Sequence, residues 1–225
     1  EIRPRDWSSD VCSSDLLRIP TFCITAKSLF TTLKIDRKYG DLLPFNYQYE
    51  QSAVIYRILA QADTQYSSWL HENGYLLHER KRFKLFCYSP FIFEKVRPLP
   101  EAGCLNIIGE KVVWYISFIP EKSTFEFIQG IFAHQSFTIG NKEHRVAFDV
   151  IGVEAMPMPQ LTEQMAFQAM SPICVKLHED NKTQYLSPDN PMFVEGILKG
   201  LKARYESIHG QPFDMNDKEF SFELT

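Results

Sequence analysis

With 225 residues, 44% of them hydrophobic, the chain is long enough for one large domain or two small ones around a buried core. Its 24 Lys and Arg against 28 Asp and Glu leave a net charge of −4, so nothing pulls the whole molecule toward nucleic acid or acidic membranes and any anion site must be a local patch. No apolar run approaches the roughly 18 residues that span a bilayer. Five cysteines, odd in number and without a C-x-x-C pair, argue against a disulfide framework and a zinc site. A cytoplasmic protein with reduced cysteines and no membrane partner is expected.

Residues 1–16, EIRPRDWSSDVCSSDL, are polar and lack any period of 2 or 3.6. They resemble translated sequencing-adapter read-through, so residues 1–27 are set aside as a non-native or disordered leader. SLFTTLKID, 28–36, reads as a strand. From Gln51, residues Val54, Ile55, Ile58, Leu59 and Ala62 recur at helical spacing. Asp63 and Thr64 are capping residues in mid-pattern, and Tyr66, Trp69 and Leu70 resume an apolar face before Gly74. The pattern predicts a helix, a break near Asp63 and a second short helix. KRFKLFCYSPF, 81–91, alternates as one strand entering from a basic end. CLNIIGEKVVWYISFI, 104–119, reads as a hairpin across Gly109 and Glu110. STFEFIQGIFAH, 123–134, is helical, with a Ser or Thr cap and Glu126 three residues after Ser123, and HRVAFDVIGVEAM, 144–156, is a closing strand.

Strand, helix, strand pair, helix, strand is the order of a ferredoxin-like unit, an α+β plait with one sheet covered by two helices. MPMPQLTEQM then leads into a second unit: a strand in MSPICVKL, a capped helix of about five turns in SPDNPMFVEGILKGLKARYESIHG, and a strand beginning in FSFELT. The expected organisation is the leader 1–27, an N-terminal plait over 28–158, and a partial C-terminal plait over 159–225. Because half a plait leaves open sheet edges, the chain is expected to be a C-terminally truncated piece of a tandem ferredoxin-like (RRM-like) protein.

There is no G-x-G-x-x-G, P-loop, H-E-x-x-H or G-x-S-x-G. His71 and His78 straddle Gly74 with no thiol or carboxylate pattern to complete a metal shell, so neither metal nor cofactor is expected. A metal-free alternative is RNA chemistry in which a ribose 2′-OH attacks its own adjacent phosphate. It requires a proton acceptor, a donor for the leaving 5′ oxygen and positive charge at the phosphorane, roles open to His, Tyr and Lys. On one continuous helix Tyr56 and His71 would lie about 22 Å apart at 1.5 Å per residue and could not share a phosphate. A fold-back at Asp63 would let them meet, with Lys84 joining from the following strand.

These blocks carry a resemblance. NYQYEQSAVIYRILAQAD, WLHENGY, KRFKLFCYSPF, MSPICVKL and YLSPDNPMFVEGILKGLKARYESIHGQP together are similar to the CRISPR-associated repeat-processing endoribonucleases, metal-independent enzymes that cut precursor CRISPR RNA. The similarity runs from about residue 28 to the end and implies tandem ferredoxin-like domains. It also implies cleavage within the CRISPR repeat to leave a 2′,3′-cyclic phosphate and a 5′-OH, maturing guide RNA for antiviral defence. On the matching positions it implies His71 as general acid or base, Tyr56 as the group that activates or orients the 2′-OH, and Lys84 as the phosphorane-stabilising cation. The glycine-rich loop near the family's C-terminus has no counterpart here, the last glycine being Gly210.

Each of these residues has a plainer role open to it: Tyr56 in helix packing, His71 as a partner of the helix dipole, Lys84 on a solvated strand face. Arg80, Lys81, Arg82, Lys84, Lys95 and Arg97 form the densest basic cluster and are interleaved with aromatics, a combination that grips single-stranded RNA. Lys81, Arg82 and Lys95 are taken as the RNA-binding candidates, whereas Lys199, Lys202 and Arg204 read as an exposed helix face. The partner implied is the CRISPR repeat RNA, with a CRISPR effector complex beyond it. The alternative is a non-catalytic subunit that holds CRISPR RNA in such a complex without cutting it.

Overall fold

In the computed structural model, which describes residues 27–77, 81–157, 171–179 and 182–213 with isolated positions between 160 and 169, the chain folds around one antiparallel sheet. Strand β1 (Lys27–Asp36) turns Leu29, Thr31, Leu33 and Ile35 to the same side, all buried, as the two-residue period of a strand requires. A short β2 (Leu42–Pro44) leads to helix α1 (Gln48–Ala62), whose Val54, Ile55, Ile58 and Leu59 are buried. The backbone breaks at Asp63, in extended conformation, and helix α2 (Thr64–Glu72) begins at once with the Asp63 carboxylate accepting from the Tyr66 N–H at 2.8 Å. One residue therefore ends one helix and caps the next.

Short strands follow: β3 (Tyr75–Leu77), β4 (Lys81–Phe83), β5 (Phe86–Tyr88), β6 (Ile92–Phe93), β7 (Val96–Leu99), β8 (Cys104–Ile107) and the longer β9 (Lys111–Phe118). Helix α3 (Glu121–Ala133), β10 (Ser136–Gly140) and β11 (Arg145–Ala155) complete the first unit. The main sheet runs β10-β11-β1-β9-β5, with β6 also on β9. Removing β10, the order β11-β1-β9-β5 is the fourth-first-third-second arrangement of a ferredoxin-like plait, all antiparallel. Helices α1 and α3 cover one face and close a core containing Trp114, Phe118, Phe127 and Phe148. They approach so closely at Gly130 that a Cβ there would stand 1.8 Å from the Ile58 carbonyl oxygen. A bulge in β11 opposite Thr32 and Leu33 turns Ile151 outward, 53% exposed despite its apolar side chain.

The second unit is a hairpin, β12 (Val175–Glu179) with β13 (Lys182–Leu186), packed by α4 (Pro191–His209). Asn190 caps α4 through the Met192 N–H and Gly210 ends it at φ 65. Phe193, Ile197 and Leu201 form a small separate core with Val175. The fold is α+β with curled antiparallel sheets.

Three expectations are corrected. The alternating run 81–91 is not one strand: β4 pairs with β3, β5 pairs with β9, and between them Leu85 turns the chain at φ 55. The arms of the expected Gly109–Glu110 hairpin enter different sheets, β8 between β2 and β7 and β9 in the main sheet. Glu94 closes the corner instead, its carboxylate accepting from the Glu110 and Lys111 N–H groups. Helix α3 begins at Glu121 after Pro120, so Ser123 lies within it, buried, with its hydroxyl on the Tyr66 hydroxyl. Of the expected leader, Lys27 opens β1, paired with Phe118 of β9, while residues 1–26, His78 and the FSFELT segment lie outside the described residues.

Candidate active site

The break at Asp63 folds α2 back along α1. Ser67 on α2 donates to the Tyr56 carbonyl at 2.8 Å, and Leu70, fully buried, holds the same face down. Two turns of helix beyond Asp63 thus deliver His71 to Tyr56. Their ring centroids are 5.0 Å apart at 82°, edge to face. Phe86 of β5 supports the tyrosine from another side at 5.6 Å and 80°. Both Tyr56 and His71 are half-buried, as an aromatic cluster at the rim of a core would be.

Lys84 reaches the same helix end. Its ammonium donates to the Leu70 carbonyl at 2.7 Å and to the His71 carbonyl. Arg82 donates to the next one, Glu72, at 2.6 Å. Three consecutive carbonyls left over by the end of α2 are therefore met by cations from β4 and its exit, where the helix dipole favours positive charge. Gly74, at φ 62, lets the chain reverse tightly enough for this: a Cβ there would meet the Phe83 carbonyl oxygen at 2.7 Å.

Burial holds the His71 imidazole below its ordinary value of 6.5. The nearby Lys84 charge pushes the same way and Glu72 opposes. The ring is consequently neutral at pH 7, able to accept a proton while it packs against a phenol. Among the described residues, no three His, Cys, Asp or Glu side chains converge to hold a metal.

The structure brings Tyr56, His71 and Lys84 together, with Arg82 exposed beside them. Lys81 begins β4, and its side chain lies outside the described residues. Lys95 is not part of the cluster. Its neighbour Glu94 bonds the Lys111 carbonyl, whereas Leu85 bonds Ile119 at the far end of β9, a separation of roughly 26 Å at strand rise. Arg204 of α4, expected on an exposed helix face with Lys199 and Lys202, is instead partly buried, its guanidinium 5.2 Å from the centre of the Phe83 ring. Charge spacing along a helix carries no sign of such a contact.

Two family descriptions match successive parts of the chain: "CRISPR-associated protein Cas6, N-terminal" over residues 42–148 and "CRISPR associated protein Cas6, C-terminal" over 156–225. The chain belongs to the Cas6 family. A Cas6 relative described as "CRISPR-associated endoribonuclease Cas6 1", from Methanocaldococcus jannaschii, is 28% identical over 202 residues, covering 88% of this chain and 72% of the relative. Among solved structures, the protein of a Cas6-related gene from Pyrococcus furiosus superposes with a TM-score of 0.68 at 22% identity, covering 84% of this chain and 73% of that one. Another, described as "An RAMP protein binding different RNA substrates", gives 0.67 at 23% identity, with 84% and 74% covered. These Cas6 and RAMP likenesses agree in fold with the plait and the hairpin-plus-helix unit, and the fold is of the tandem ferredoxin-like class.

Proposed function

We propose that this Cas6-family chain is an endoribonuclease that cuts CRISPR repeat RNA by attack of a ribose 2′-OH on its own phosphate, without a metal. The observation that carries the reading is the edge-to-face pairing of His71 with Tyr56 beside the Lys84 ammonium. The name of the Methanocaldococcus jannaschii relative supports the activity class, and the RNA-binding description of the RAMP neighbour supports RNA as ligand.

In the reaction the O2′–P bond forms and the P–O5′ bond breaks. His71, neutral at pH 7, takes the 2′-OH proton, and Tyr56 orients that hydroxyl. Lys84, its charge fixed at the end of α2, faces the negative charge that builds on the phosphorane oxygens. The leaving O5′ takes up a proton from water, the proton held by His71 returns to solvent, and the products are a 2′,3′-cyclic phosphate and a 5′-OH. Lys81, Arg82 and Lys95 are proposed contacts to the RNA backbone, the first two at the site and Lys95 at a distance that several nucleotides would span.

The test is incubation of end-labelled repeat RNA with the protein in excess EDTA, followed by end-group analysis. A 2′,3′-cyclic phosphate at one position in the repeat is expected. Cleavage only on adding Mg²⁺, or a 3′-OH product, would overturn the reading.

A further inference from the structure

We infer that Arg204, on α4 of the second unit, is a positioning residue for the site, holding Phe83 and through it the lysine that clasps the end of α2. This rests on the reading of His71 and Lys84 given above. Phe83 is 8% exposed and lies between two cations that both serve the α2 terminus, Arg82 on the Glu72 carbonyl and Lys84 on those of Leu70 and His71. On one side its own carbonyl is pressed against Gly74, where not even a methyl group would fit. Its ring lies under the Arg204 guanidinium, with the central carbon 5.2 Å from the ring centre.

The guanidinium is itself anchored. It donates to the Gly200 carbonyl one turn earlier at 3.1 Å, and a Cβ at Gly200 would stand 3.3 Å from that same nitrogen. The helix carrying it is fixed to β12 through Phe193, Ile197 and Leu201. Phe83 is thus gripped between a backbone that cannot move inward and a planar cation seated on the other unit. Any shift of Phe83 carries Lys84 with it, because Leu85, the next residue, is already turned to φ 55 and buried. A planar, delocalised cation suits this contact better than an ammonium would. The second unit thereby sets the geometry of a site whose reacting groups all belong to the first.

The experiment uses the full chain and the variants Arg204→Ala and Arg204→Lys. The first readout is single-turnover cleavage of repeat RNA together with its Kd. Arg204→Ala is expected to slow the bound-state rate about ten- to a hundredfold, as a small misplacement of a reacting group does, with Kd nearly unchanged. Arg204→Lys is expected to fall between. The second readout is the imidazole titration of His71 by NMR without RNA. The charges that act on that ring are Lys84 and Glu72, with the Tyr56 ring against it and Arg82 on the neighbouring Glu72 carbonyl, and the titration midpoint is expected to rise in Arg204→Ala as Lys84 loosens. An unchanged midpoint with an unchanged rate would overturn the inference. So would weakened binding at an unchanged rate, which would make Arg204 a phosphate contact. If wild type fails to cut repeat RNA, the parent reading fails, and the titration still decides the coupling.

Discussion

His71 stands edge-on to the ring of Tyr56, 5.0 Å between centroids, although the two belong to helices that a straight continuation would have carried about 22 Å apart. The closeness is made by Asp63. Its carboxylate caps α2 at the Tyr66 N–H and is held at 3.1 Å by Lys122 at the start of α3.

Replacing that cap should loosen both the fold and the site. Asp63→Ala is expected to lower Tm by about 2–4 °C and to slow cleavage, while Asp63→Asn, which still accepts from the Tyr66 N–H, should lose less. The Tyr66 N–H hydrogen bond, followed by Lys122, holds the Asp63 carboxyl below its ordinary 3.8. A carboxyl depressed in the folded state stabilises fully above its unfolded value and loses that contribution as pH falls through the folded one. The stability gap between wild type and Asp63→Asn in thermal unfolding should therefore begin to narrow below about pH 4 and close only below the depressed folded value.

The pH dependence of cleavage should report His71. With burial as the larger cause and Lys84 the second, its pKa lies below 6.5, so kcat/KM should fall on the acid side with a midpoint under that value. Stability shifts the same way: the unfolded chain takes up the proton first, so folding weakens as pH drops from about 6.5 through the folded value. Lys84→Met should raise the midpoint only part of the way, since burial remains. A midpoint unmoved by Lys84→Met would mean that the ammonium does not act on this ring.

Gly74→Ala should couple stability to rate. At φ 62 an alanine costs about 1–2 kcal/mol before any clash, and its Cβ would meet the Phe83 carbonyl oxygen at 2.7 Å. Displacing Phe83 displaces Lys84. Chemical denaturation should therefore show a loss of about 1–2 kcal/mol or more, with cleavage reduced in the fraction that remains folded. Normal cleavage in a destabilised variant would separate the turn from the site.

Much of this was legible in the chain itself. The mid-pattern Asp63–Thr64 pair marked the fold-back, because a residue that both ends and caps a helix has a recognisable side chain, and the order of elements anticipated the sheet order. The splitting of 81–91 was not legible. Alternation through Phe83, Leu85 and Cys87 is what one strand would show, and a left-handed leucine leaves no compositional mark. The apparent hairpin at Gly109 failed for a related reason: local turn chemistry reports a reversal, not which sheet each arm joins. The reach of Lys84 to the α2 carbonyls, and of Arg204 to Phe83, depends on tertiary placement that no spacing rule encodes.

The central claim is that His71 moves the proton. The most direct measurement is the single-turnover rate of repeat RNA cleavage by His71→Ala against wild type, with the Kd of each for the same RNA. A loss of about 10²–10⁴ in rate at nearly constant Kd is expected for removal of a general acid or base. Cleavage by His71→Ala at the wild-type rate would contradict the assignment.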